Sequence, residues 1–350
     1  MDKKKITVKE LAQKLGVSIS TVSKALNDSY EISDKTKKRV QKMADRYNYK
    51  PNRLAVNLKS GSTKTVGVIL PSILSNFFTA VLYGIEQVTN EQNYNIITCF
   101  SNESFEREMT NMDILSNGII DGLIVAISEE TQIRKDYTHF KNCIRKGNPV
   151  VMFDRVTGAI KCDKVVVDDY NDAYMATRHL IDSGCDNIAL VSSIDFLSVG
   201  KNRVKGFVSA LKDHSREVPG HKLIRCGVNE LEEKIEELFS KTKADGFFAA
   251  DEDASLAICK VAKRLGLGIP NEVAVIGYAG EKIAMNLTPT LTTVNQNGVE
   301  IGREAARILL ERIQRGDQMD YQTRIINTTI EKRVSTQRKK IKDSTLNEEG

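Results

Sequence analysis

Gly16-Val17-Ser18-Ile19-Ser20-Thr21-Val22-Ser23-Lys24-Ala25-Leu26-Asn27 decides how the N-terminal part of this 350-residue chain folds. Before it, Val8, Leu11, Ala12 and Leu15 recur at helical spacing, and Thr7 with Glu10 three residues later forms a capping pattern. Gly16-Val17 stops that first helix. Ser18 caps a second, from about Ile19 to Leu26, whose buried face is Val22, Ala25 and Leu26. Ser33 caps a third over Lys35 to Asn48, with Val40, Met43, Ala44 and Tyr47 on one side, and Pro51 ends the block.

Working outward, Asn52 to Ser60 carries Leu54, Ala55 and Leu58 and is long enough for only one or two helical turns. Such a helix is marginal in water and is expected to order only when something packs on it. Gly61-Ser62-Thr63 reads as a linker. From Val66 the pattern changes to short apolar runs alternating with amphipathic stretches. Strands are expected at Val66–Leu70, Asn95–Phe100, Gly122–Ile127, Val150–Phe153, Val165–Val167, Ile188–Ser192, Lys222–Arg225, Gly246–Ala250 and Val273–Tyr278. Fully apolar strands alternating with helices argue for parallel sheets covered on both faces, an α/β doubly wound architecture. Such sheets bind ligands at the carboxyl ends of their strands. Met319 to Arg333 reads as a last strand pair or edge strand, and the polar stretch from Ser335 to Gly350 as a disordered tail.

Charge is unevenly spread. Residues 1–64 hold 16 Lys and Arg against 6 Asp and Glu, whereas residues 65–350 hold 35 against 40. A basic end on an acidic body is the electrostatic footprint of a nucleic-acid-binding module joined to a body that does not touch nucleic acid. The six cysteines have no Cys-x-x-Cys spacing and no histidine placed to complete a zinc site, so free thiols and no metal are expected. The N-terminus lacks the apolar core of a signal peptide, and no stretch approaches the ~20 apolar residues of a membrane span. A cytoplasmic, nucleoid-associated protein is expected. Phosphate-loop, dinucleotide, serine-hydrolase and His-Glu-x-x-His motifs are all missing, and His139, His179, His214 and His221 have no convincing catalytic partner. No catalytic residue and no cofactor are expected.

The residues 11–27 and the stretch Val40 … Asn48-Tyr49-Lys50-Pro51-Asn52-Arg53-Leu54-Ala55 resemble the headpiece of the LacI/GalR family of bacterial repressors. The resemblance runs on through Asn76-Phe77-Phe78 … Gly84-Ile85, Asp121-Gly122-Leu123-Ile124, Phe153-Asp154-Arg155, Arg203-x-x-Gly206-Phe207, Gly277-Tyr278 and Leu291-Thr292-Thr293-Val294 … Gln296. It implies an N-terminal helix-turn-helix headpiece (1–50), a hinge helix and linker (51–62), and a two-lobed core like type I periplasmic binding proteins (63–335). The first lobe is expected at about 63–158 plus 293–320, the second at about 159–292 plus 321–335, with crossings near 159–164, 289–293 and 318–323 and a disordered tail at 336–350.

By the same resemblance the second helix enters the major groove of operator double-stranded DNA. Ile19, Ser20 and Lys24 would read base edges, while Ser18, Thr21, Ser23 and Asn27 contact phosphate or brace the helix. Tyr49 is also implied to contact DNA, and Asn52, Arg53 and Ala55 would flank Leu58, which wedges into the minor groove. The effector-facing residues implied are Asn76, Phe78, Asp154, Arg203, Asp251, Tyr278 and Gln296. A carboxylate and a guanidinium facing one pocket suit a polyhydroxylated, sugar-like small molecule. Asp251-Glu252 stands where the family has Asn-Asp, Ala279 stands where it has aspartate, and tryptophan is absent, which leaves open an unusual sugar, a sugar acid or phosphate, or a ligand of another kind. The implied assembly is a homodimer, with a tetramer left open. A transport-linked binding protein shares such a core, but it needs a signal peptide and no basic headpiece.

Overall fold

Thr7 opens the first helix, α1 (Val8–Leu15), with a reciprocal cap: its N–H donates to Glu10 Oε2 at 2.7 Å and its hydroxyl accepts from Glu10 N at 3.3 Å. Gly16 closes the helix at φ +65°, a left-handed conformation that glycine adopts without a Cβ penalty. Ser18 then caps α2 (Ile19–Leu26), its hydroxyl accepting from Thr21 N at 3.0 Å. Ser33 caps α3 (Asp34–Arg46). This helix ends earlier than its apolar spacing suggests because Asn48 turns left-handed and Tyr49 N–H donates back to the Ala44 carbonyl. Leu11, Ala12, Leu15, Val22, Ala25, Val40 and Ala44 form the small core, with Leu26 and Met43 half-buried against it.

The computed structural model describes residues 6–49, 62–217, 220–316 and 320–338. They divide into an N-terminal unit ending at Thr63 and a second unit from Lys64 onward. Asn52, Arg53, Ala55 and Leu58, expected in the hinge segment, lie outside the described residues.

In the second unit the chain runs β1 (Thr65–Leu70), α4 (Asn76–Glu91), β2 (Asn95–Phe100), α5 (Phe105–Leu115), β3 (Gly122–Val125), α6 (Glu129–Arg134), α7 (Thr138–Arg145), β4 (Val150–Phe153) and β5 (Asp163–Val166). It continues through α8 (Asp169–Asp182), β6 (Ile188–Ser192), α9 (Ser198–Asp213), β7 (Leu223–Arg225), α10 (Leu231–Lys241), β8 (Gly246–Ala249), α11 (Glu252–Arg264), β9 (Ala274–Gly277), α12 (Glu281–Asn286) and β10 (Thr292–Asn295). Then follow α13 (Gly298–Arg315), β11 (Thr323–Ile325) and β12 (Thr329–Glu331). Two six-stranded sheets result, in the orders β11-β5-β4-β3-β1-β2 and β12-β10-β9-β8-β6-β7. Every pairing is parallel except β10 with β12. Strands β1, β3, β4, β8 and β9 are buried nearly end to end because helices cover both faces.

The chain passes between lobes a few residues later than the resemblance implies. Asp163 has no exposed surface and pairs with Arg312 of α13, whose Nη2 donates to Asp163 Oδ1 at 3.1 Å, so β5 is built into the first sheet and not a crossing. The crossings follow β5, β10 and β11, near residues 167–168, 296–297 and 326–328. The segment from Asp320 accordingly supplies an edge strand to each sheet, β11 to the first and β12 to the second. The expected tail is also shorter. Ser335 and Thr336 are buried, with Ser335 Oγ donating to the Val275 carbonyl at 2.6 Å and Thr336 Oγ1 2.9 Å from His179 Nε2. Arg338 pairs with Asp245 at 2.9 Å.

Helices α4 and α13 cross at glycines. A Cβ on Gly84 would lie 2.0 Å from the Val299 carbonyl oxygen, and one on Gly302 would lie 2.0 Å from that of Val81. Only hydrogen at both positions lets the backbones approach so closely, which fixes α4 and the Asn76 end that faces the second lobe.

Candidate functional site

Two groups of residues stand out, one in each unit. In the first, α2 presents Ser18, Ile19 and Ser20 to solvent at its N-terminal end, with Ile19 47% exposed. Val22 and Ala25 of the same helix are buried, so Ile19 lies on its outward side. Lys24 is half-exposed and ion-paired with Glu31. Ser18 and Thr21 hydroxyls lie 2.8 Å apart, so they brace the helix start. Ser23 is half-buried, Asn27 exposed, and Tyr49 half-buried beyond the end of α3. The turn Gly16 to Ser18 is held by Val17 N–H to the Ala12 carbonyl at 3.1 Å.

In the second unit, the carboxyl ends of both sheets' strands meet across the interlobe cleft. Asp154 follows β4 with a left-handed backbone at φ +55° and a side chain 7% exposed. Its carboxylate is 3.9 Å from Arg155 Nε, too far for a hydrogen bond. Burial first, and then the charge of Asp169, pushes Asp154 up to about 6. Arg203, in the first turns of α9, is buried and has a partner at each nitrogen: Nε and Nη2 meet Asp169 Oδ1 at 2.8 and 2.7 Å, and Nη1 donates to the Ala250 carbonyl at 2.7 Å. Its guanidinium stacks 3.7 Å over the Tyr278 ring. Burial pushes the Asp169 carboxyl up against the opposing pull of Arg203, and it raises the Tyr278 phenol as well. Asp172, one turn along α8, accepts from Thr328 through Oδ1. Its carboxyl is raised to about 6, by burial first, with the Asp169 charge adding to it.

Phe78 is buried edge-on to Phe153 at 6.1 Å, with Arg155 over its other side at 5.5 Å. Arg155 is itself paired to both oxygens of Glu103, at 2.8 and 2.7 Å. Asn76 crosses the cleft: its Nδ2 donates to Glu252 Oε1 at 3.0 Å, while Glu252 Oε2 accepts from Gly280 N at 2.7 Å. A second interlobe bond joins Ser198 N to Gln132 Oε1 at 3.0 Å.

Thus Asp154, Arg203 and Tyr278 come together, and Phe78 forms the wall beside them. Asn76 sits at the rim. Asp251 is spent within its own lobe, where it caps α11 and accepts from Ser193 N, Ser193 Oγ and Ala254 N at 2.7, 3.0 and 2.9 Å. Gln296, half-buried after β10, makes no hydrogen bond to the group among the described residues. Sequence reasoning passed over Asp169 and Asp172 and took the chain just before them for a crossing. Both follow directly on β5, so the rule that ligands sit after strand ends would have found them. It also passed over Glu252 as a bridge, since only the closure of the lobes puts it opposite Asn76.

Among the described residues five buried side-chain polar atoms have no hydrogen-bond partner: Asp172 Oδ2 and Tyr278 Oη in this group, and Ser101 Oγ, Gln132 Nε2 and His139 Nδ1 on other elements. Native interiors satisfy nearly all such atoms, so a group of orphans marks a place shaped for something else. An open cavity of about 680 Å³ flanks Gln132 and Ser198, lined also by Lys135, Tyr137 and Lys141; Asp154, Arg203 and Tyr278 are not among its walls. Among the described residues no three His, Cys, Asp or Glu side chains are spaced to hold a metal ion, and no helix is long and apolar enough to cross a membrane.

Comparison with known proteins agrees with this division. The profile of bacterial regulatory proteins of the lacI family matches residues 7–52, and that of a periplasmic binding protein-like domain matches residues 177–336. The HTH-type transcriptional repressor PurR of Photobacterium profundum is 28% identical over 312 residues, 88% of this chain and 92% of that protein. A LacI family transcriptional regulator from Enterococcus faecium, solved with bound ribose, is 27% identical with a TM-score of 0.68, covering 77% of this chain and 98% of that one. The lac repressor dimer bound to operator and an anti-inducer shares the fold at a TM-score of 0.82 and 19% identity, over 95% of this chain and 99% of that one. The first unit carries the family's headpiece, the second its two-lobed core, and the relatives are regulators rather than enzymes. The chain belongs to the LacI/GalR family of bacterial transcriptional regulators.

Proposed function

We propose that this regulator is a repressor that binds a pseudo-palindromic operator as a homodimer and is controlled by a small polar effector held between the lobes of its core. The observation that carries the DNA half is the basic three-helix unit whose second helix keeps Ile19 and Ser20 exposed beside Lys24. Base edges in the major groove offer hydrogen-bond groups to Ser20 and Lys24 and a thymine methyl to Ile19. Ser18, Thr21, Ser23 and Asn27 contact phosphate or brace the helix, Tyr49 contacts DNA, and Asn52, Arg53, Ala55 and Leu58 act at the minor groove. The effector half rests on the orphaned polar atoms beside Asp154, Arg203 and Tyr278. The Enterococcus faecium relative holds ribose and the Photobacterium profundum relative is a repressor, which favours a sugar-like effector and a repressing role.

Effector binding shifts operator affinity by as much as its affinities for the two lobe arrangements differ. Selection of genomic fragments with purified protein, followed by titration of the enriched duplex against salt, tests the reading. The expected result is a pseudo-palindrome bound with a steep salt slope. Enrichment of no sequence, with weak binding that is equal on all duplexes, would remove it.

A further inference from the structure

Resting on the reading that the cleft holds the effector, we infer that this effector carries a protonated amine on a polyhydroxylated scaffold, with the ammonium seated between Asp154 of the first lobe and Asp172 of the second. Three carboxylates, Asp154, Asp169 and Asp172, surround one guanidinium, that of Arg203. All three nitrogens of that guanidinium are already bonded, two to Asp169 and one to the Ala250 carbonyl. Arg155, the other cation of the site, is held by both oxygens of Glu103. The positive charge of each arginine is thus already set against a carboxylate, Asp169 for Arg203 and Glu103 for Arg155 through its Nη1.

The acceptors are in the opposite position. Asp172 is 5% exposed and its Oδ2 has no donor, and Tyr278, 4% exposed and within the field of the same three carboxylates, has an orphaned hydroxyl. A buried charge needs a partner of opposite sign and hydrogen bonds to its free lone pairs. A metal ion does not meet that need here, because no described group of carboxylates has ligand spacing. An organic ammonium does: it brings donors to carboxylate oxygens and sets a positive charge against buried negative ones. A phosphate or a uronate would add charge where negative charge is already in excess.

The test uses the full chain and calorimetry at pH 7.5 with matched probes: glucosamine, glucose, glucuronate and glucose 6-phosphate, and the same four forms of galactose and mannose. In at least one set the amine is expected to bind tenfold or more tighter than its neutral parent, with the uronate and phosphate weaker still. Asp172→Asn should bring amine and parent within threefold. If that variant does not fold, the wild-type preference should itself shrink when the pH is lowered from 7.5 to 5. A neutral or anionic member binding as tightly as the amine in every set, a preference unmoved by both Asp172→Asn and low pH, or no binding by any member, overturns the assignment. Operator titration with each probe separates the two readings. A neutral sugar that binds and shifts operator affinity upholds effector control and refutes the amine, whereas amine-selective binding with unmoved operator affinity does the reverse.

Discussion

At the scale of single residues, the cleft places charge where burial makes it expensive. Asp154 moved from 3.8 to about 6 corresponds to roughly 3 kcal/mol of folding free energy at neutral pH. The sign follows from the raised value: the folded state binds the proton more tightly, so its advantage is complete at low pH and is lost as pH rises through about 6. Asp172 acts in the same direction, and the charges facing the pair are Asp168, Asp169, Glu103, Arg155 and Arg203. The ligand-free protein should therefore melt higher at pH 5 than at pH 7.5, and Asp154→Asn should narrow that difference; a pH difference identical in wild type and variant would contradict the assignment. Tyr278→Phe removes an unsatisfied buried hydroxyl and should stabilise the unliganded core by about 1 kcal/mol while weakening effector binding, both readable by thermal shift. Arg203→Ala is a poorer probe, since it strands Asp169 as an unpaired buried charge at a cost of about 3–5 kcal/mol.

At the scale of elements, caps and crossings decide which helices hold their place. Ser18→Ala deletes the acceptor for Thr21 N and should cost the headpiece about 1 kcal/mol. Its operator affinity would fall without a change in preferred sequence, whereas replacing Ser20 or Lys24 should alter the sequence selected. Leu58→Ala, as a test of the minor-groove wedge, should weaken specific binding far more than non-specific binding in a gel-shift competition. In the core, Gly84→Val drives a side chain into the backbone of α13 and should cost about 3 kcal/mol or more in urea unfolding. An unchanged midpoint would show that the two helices separate without penalty.

At the scale of the whole molecule, the two sheets are joined by three crossings and by polar bridges that form only when the lobes are close. Asn76 to Glu252 to Gly280 is one bridge, and Gln132 to Ser198 the other. Each is a small number of hydrogen bonds, worth about 1 kcal/mol apiece net, which suits an equilibrium that a ligand must be able to bias. Glu252→Ala should shift the core toward an open form, seen as a larger radius of gyration in solution scattering of the unliganded protein and as weaker effector binding. Identical scattering curves would show that the bridge does not hold the closed form.

Sequence alone determined what depends on neighbours along the chain. The caps at Thr7, Ser18 and Ser33, the left-handed stop at Gly16, the apolar strands and their alternation with helices all follow from periods and terminal residue types. They sufficed for the headpiece and for the doubly wound α/β class. Asp154, Arg203 and Tyr278 were implied by the family resemblance, and the fold brings these three together. Tertiary structure decided what depends on residues far apart. Asp163 reads as a polar crossing residue until Arg312, 149 positions later, pairs with it and draws β5 into the first sheet. Ser335 and Thr336 read as tail until Val275, Thr292 and His179 bond them. Asp169 and Asp172 join the proposed site, and Asp251 is engaged within its own lobe, only when the packing sets which lone pairs are spent and which are left. Local pattern encodes elements, whereas the satisfaction of buried charge is a property of the assembled interior.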